Sequence, residues 1–131
     1  APLTSASRHL IGKDALARIK SGTLMINVGR GSVVDEGAVL AALEAGKLGG
    51  YAADVFEMED WAVPERPKVI DERLRSHPRT LFTPHLGSAV TQVRQAIELR
   101  AVDNIADVLE GRRPRDAINE PARPPTLAKA C

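Results

Sequence analysis

Strand-length apolar runs alternate with helix-patterned segments along this chain, and that alternation limits the possible folds more than any other feature. Residues 23–28 form a compact apolar run with Gly22 before it and Gly29 after it, which predicts a buried strand. Residues 49–55 predict a second strand, whose small residues imply close approach by a helix or a ligand. Residues 80–83 predict a third. Between the first two, Asp35 is a good N-cap, and Val39, Leu40, Ala42 and Leu43 make an apolar stripe that ends at Gly46. Shorter helices are predicted over 13–20 and 70–76, and Pro-punctuated 61–67 reads as a loop. Strand–helix–strand alternation implies an α/β fold with parallel pairing and right-handed crossovers.

A long helix is predicted from Ser88. Val90, Val93, Ile97, Ala101, Ile105 and Val108 recur at three and four, giving one stripe to be buried in a core or a dimer interface, until Gly111. The remainder, 111–131, contains Pro114, Pro121, Pro124 and Pro125 and reads as a mostly irregular tail. Three parallel strands make a poor closed unit, because such sheets need both faces covered. The start, Ala1-Pro2-Leu3, reads like the end of a strand and lacks an initiator Met. The expectation is the C-terminal piece of a larger α/β protein.

Lys and Arg number 18 against 17 Asp and Glu, so no strong field recruits nucleic acid or a membrane surface. The longest apolar runs fall well short of a membrane span, and no signal peptide is visible. The single Cys, Cys131, rules out an internal disulfide and reads as an inert thiol, which fits a cytoplasmic location.

Each predicted strand runs directly into a chemistry-bearing motif. Asn27-Val-Gly-Arg-Gly-Ser-Val-Val34 follows the first, Ala53-Asp-Val-Phe-Glu-Met-Glu59 the second, and Thr83-Pro-His-Leu-Gly-Ser88 the third. Ligands of open α/β sheets bind at the carboxyl ends of the strands, so Arg30, an acidic residue and His85 gather at one edge. An Arg can hold an oxyanion, a His can move a proton, and a carboxylate can orient the His. Spacing does not separate Glu57 from Glu59 as that carboxylate. Asp54 follows its strand directly, where a carboxylate needs a partner. Met58 and Trp61 either line a substrate mouth or plug a loop. His9 and His77 are expected at the surface.

These three linked motifs, in this order and spacing, resemble the D-isomer-specific 2-hydroxyacid dehydrogenases over about residues 1–110. The resemblance implies the C-terminal half of a doubly wound, Rossmann-type NAD-binding domain with its long helix. It implies NAD as cofactor, a small anionic substrate and a homodimer. Arg30, Glu59 and His85 would be the catalytic set, with Arg30 on the anion and Glu59 paired to His85. Pro2, Val28, Asp54, His85 and Ser88 would line the cofactor, with Asp54 on the nicotinamide carboxamide. Where the family usually has Glu-Pro after Asp-Val-Phe, the run here is Glu57-Met-Glu-Asp-Trp61. That run, and Leu86-Gly-Ser-Ala89, resemble the phosphite-oxidising branch. The alternatives are a glycerate, glyoxylate or lactate dehydrogenase, and a corepressor-like module that senses dinucleotide. No Gly-x-Gly-x-x-Gly loop is present, and Gly29-Arg-Gly31 is no substitute, so the isolated chain is expected to be inactive.

Overall fold

The computed structural model describes residues 1–119; the expected tail beyond them, with Cys131, lies outside the described residues. The chain divides into two units, one covering residues 1–87 and one beginning at Ser88.

In the first unit the order is α1 (Lys13–Arg18), β1 (Thr23–Asn27), a 3-10 turn (Gly31–Val33), α2 (Glu36–Glu44), β2 (Leu48–Ala53), a 3-10 turn (Glu57–Glu59), α3 (Glu72–Arg75) and β3 (Thr80–Phe82). The strands form one parallel sheet in the order β1-β2-β3, as alternation requires. Asp35 caps α2, its Oδ1 accepting the Ala38 N–H at 2.9 Å. Strand register builds two rows on the helix-covered side, Met25–Tyr51–Thr80 and Asn27–Ala53–Phe82. Val39, Leu40 and Leu43 of α2 join Leu16, Leu48, Tyr51, Phe56 and Leu74 in the core there. Phe82 meets Tyr51 and Phe56 edge to face, with centroids 5.9 and 5.2 Å away.

The opposite face differs from the expectation of strands buried on both sides. Ile26, Ala52 and Leu81 form a row across it. Leu24, Ile26 and Leu81 are 73%, 71% and 69% exposed, because no other element of the first unit packs there. Close backbone approach accounts for one small residue of β2. A Cβ on Gly49 would lie 2.4 Å from the Gly22 carbonyl, so at this position the close neighbour is the turn before β1.

In the second unit, α4 spans Thr91–Leu109, three residues later than the predicted start at Ser88. In the single chain the stripe is uncovered: Val90, Val93, Ile97 and Ile105 are all exposed. Periodicity decides which side chains share a face; what covers that face depends on residues outside the helix. Arg100 and Asn104 converge on Asp116, at 2.5 and 2.7 Å, closing the segment after α4 back onto it. Arg100, with Asn104, holds the Asp116 carboxyl well below the usual carboxylate range. No helix among the described residues is long and apolar enough to cross a membrane.

Candidate active site

Asn27, the buried last residue of β1, shapes the loop that presents Arg30. Its Nδ2 donates to the Arg30 carbonyl at 3.0 Å and its Oδ1 accepts the Gly29 N–H at 3.1 Å. Arg30 caps the following 3-10 turn and is exposed; its Nη1 donates to the adjacent Gly29 carbonyl at 3.2 Å. Sequence reasoning did not single out Asn27, although a polar residue at the end of an apolar strand beside Gly29 was the available signal.

The carboxylate choice is resolved by the second 3-10 turn. Glu59 Oε2 lies 2.6 Å from His85 Nδ1. Glu57 faces elsewhere and is buried. Its Oε1 accepts the Glu36 N–H at 2.9 Å, its own N–H donates to Glu36 Oε1 at 2.9 Å, and its Oε2 lies 2.8 Å from His9 Nε2. His9 is therefore not a free surface residue. It is half-buried, in the left-handed region at φ 51°, and hydrogen-bonded to Glu57. The reciprocal Glu36–Glu57 bonds fasten the turn carrying Glu59 to the start of α2.

The Arg30 and Glu59 turns touch backbone to backbone. A Cβ on Gly31 would lie 1.9 Å from the Phe56 carbonyl carbon, so only Gly fits. Asp60 Oδ2 accepts the Ser32 N–H at 2.6 Å across the same seam.

His85 adopts a left-handed backbone, φ 55°, uncommon outside Gly and typical of functional positions. Asp54 stabilises that loop. Its Oδ1 accepts from Thr83 Oγ1 at 2.5 Å and from the Leu86 N–H at 2.8 Å; its Oδ2 accepts the Gly87 N–H at 2.9 Å. Thr83 first, with these backbone bonds, holds the Asp54 carboxyl below its ordinary range.

Arg30 and Glu59 line one open cavity of about 550 Å³ with Leu3, Arg8, Asp60 and Trp61. Trp61 is thus at the cavity wall, with the Arg66 guanidinium 4.2 Å from its ring centre, whereas Met58 packs partly against the core. Val28 and Asp54 follow the register partners Asn27 and Ala53 at the strand ends, and the Asp54 N–H donates to the Asn27 carbonyl at 3.0 Å. Pro2 is exposed in the opening segment, its carbonyl accepting from Ser7 Oγ at 2.7 Å. Ser88 belongs to the second unit.

Burial pushes the Glu36 carboxyl up to about 7, reinforced by Glu57, Glu59 and Asp60 and opposed by the Glu57 N–H. Between its ordinary value of 4.5 and about 7, the folded chain keeps a proton that the unfolded chain releases. Stability therefore falls as pH rises through that window. Glu36→Gln keeps an acceptor for the Glu57 N–H and removes the charge. It should be more stable than wild type at pH 8, by on the order of 3 kcal/mol at most, and melt at a higher temperature, with the gap closing near pH 4. Equal melting curves at pH 8 would show that Glu36 ionises without penalty.

A parallel sheet with an Arg, a Glu–His pair and an Asp just beyond its strand ends defines a Rossmann-type nucleotide-binding domain, partial relative to its homologues. The family model for the D-isomer specific 2-hydroxyacid dehydrogenase, NAD binding domain, matches residues 1–87, and the chain belongs to that family. It is 39% identical over 118 residues to glyoxylate/hydroxypyruvate reductase B of Escherichia coli K12, covering 90% of this chain and 34% of the relative. A glyoxylate reductase structure from Paecilomyes thermophila superposes with a TM-score of 0.73 at 30% identity, covering 82% of this chain and 30% of that one. A family member from Xanthobacter autotrophicus Py2, in complex with NADPH and MES, gives 0.73 at 33% identity over 91% and 46% of the two chains. The chain thus spans about a third of the length of the curated relatives it matches.

Proposed function

We propose that this chain is the part of an NAD-dependent dehydrogenase that holds a small 2-oxo or 2-hydroxy acid, of the glyoxylate reductase type. The observation that supports it is the 2.6 Å pairing of Glu59 with His85, with Glu59 and Arg30 on one cavity wall. The relatives named above add weight, since reductases of glyoxylate occur among both the sequence and the structural matches.

The residues present fit the nicotinamide end of a dinucleotide. Val28 and Asp54 stand at neighbouring strand ends, and the Asp54 carboxylate, with three bonds accepted, retains about one acceptor site for a carboxamide N–H. The nicotinamide supplies or accepts the hydride when bound. Arg30 holds the substrate carboxylate, matching a planar anion with its planar fork. Glu59 engages His85 Nδ1, which leaves Nε2 to give a proton to the substrate oxygen in reduction and to take it in oxidation.

A second reading, oxidation of phosphite to phosphate, is favoured by the run Glu57-Met-Glu-Asp-Trp61, which differs from the Glu-Pro pair usual in the family after Asp-Val-Phe. There Arg30 would hold the phosphite dianion and His85 would take a proton from the attacking water. The test offers the whole protein glyoxylate with NADH or NADPH, and phosphite with NAD. The expected result is faster turnover of glyoxylate. Faster turnover of phosphite would replace the first reading by the second. Tight NADH binding without turnover of either would favour a dinucleotide-sensing module.

A further inference from the structure

We propose that Asp60 is a positioning residue for Arg30, a role resting on the reading that Arg30 holds the anionic end of the substrate. The N–H groups that open a helical turn have no partner within it. In the turn that Arg30 caps, the Ser32 N–H is one of these, and Ser32 is fully buried, so that donor needs an acceptor from elsewhere. Asp60 Oδ2 supplies it at 2.6 Å, a charge-assisted bond.

Asp60 is itself anchored in the Glu59 turn. Its N–H donates to the Glu57 carbonyl at 3.2 Å, and its carbonyl accepts the Val63 N–H at 2.8 Å. With Gly31 against the Phe56 backbone, the bond makes one rigid unit of the turn holding the guanidinium and the turn holding the carboxylate on His85. A 1 Å misplacement of a positioned group can cost about 100-fold in rate.

Charge alone makes the opposite forecast. Asp60 lines the same cavity as Arg30 and repels an anion, so a purely electrostatic role means that removing it improves anion binding. Positioning means that removal weakens it.

Asp60→Ala in the whole protein should raise KM for glyoxylate, or for phosphite if that is the anion turned over, by about tenfold. KM for the dinucleotide should stay at the wild-type value. Asp60→Asn should recover most of the loss, because its carboxamide oxygen can accept the same N–H without the charge. Where turnover is not measurable, the calorimetric Kd of the same two anions is read instead. An unchanged or lowered KM in Asp60→Ala, or an equal rise for dinucleotide, overturns the proposal. If Asp60→Ala does not fold, Asp60→Glu replaces it: a raised anion KM supports positioning, and a wild-type value overturns it. Arg30→Ala is assayed alongside. If it leaves anion KM unmoved, the reading of Arg30 fails and takes this proposal with it. If it raises KM and Asp60→Ala does not, positioning alone fails.

Discussion

Replacing His85 with Asn is expected to lower turnover by ~10²–10⁴-fold, the usual contribution of a positioned acid–base group. Asn retains some hydrogen bonding but cannot exchange a proton near neutral pH. His85 lies beyond β3 in a left-handed conformation that Asn tolerates well, so the loop should survive the change. Asp54, not the imidazole, holds Leu86 and Gly87, and dinucleotide affinity should therefore stay close to wild type. Steady-state kinetics with a separate binding measurement distinguishes the two effects. Retention of turnover within a few-fold would remove His85 from proton transfer. Glu59→Gln should lose less, because it keeps a hydrogen-bonding group opposite Nδ1 while surrendering the charge.

The second large effect is expected at Arg30. Two charge-assisted bonds to a carboxylate or phosphite are lost in Arg30→Ala, and each is worth roughly 1.5–3 kcal/mol. KM for the anion should therefore rise by at least ~100-fold. Arg30→Lys should fall between, since an ammonium preserves the charge but not the planar fork. Folding should be little affected, because the guanidinium is exposed and its bond goes only to the neighbouring Gly29 carbonyl. An Ala variant with wild-type KM would place the anion elsewhere.

Much of this arrangement is legible locally. The turn residues Gly22, Gly29 and Gly46 and the Asp35 cap punctuate apolar runs whose lengths distinguish strand from helix, and the elements fall within a few residues of their predicted bounds. A parallel sheet aligns its strand ends, so residues immediately after each strand share an edge whatever the details of packing. That is why the sequence alone puts Arg30, His85 and an acidic residue at one edge.

The stripe on α4 shows the limit of such reasoning. Val90, Val93 and Ile97 share a face by period alone, yet they are exposed, because a period contains no information about a covering partner. His9 shows the reverse. It sits in a polar stretch that reads as surface, and only the fold brings it to Glu57, 48 positions away.

By itself, then, the sequence determined the α/β alternation, the parallel sheet, and which residue types lie beyond each strand. Spacing left Glu57 and Glu59 equal and the family resemblance pointed to Glu59; the tertiary structure supplies the contacts that separate them. Both occupy one 3-10 turn, where each residue advances the side chain by about a third of a rotation, so two positions separated by one residue face different neighbours. One is drawn to the Glu36 backbone and His9, the other to His85. The same is true of Asp60 and Ser32, which lie 28 residues apart and meet only because Gly31 lets two turns touch. Contacts made across a fold depend on where the backbone is brought, and local spacing along the chain does not contain that distance.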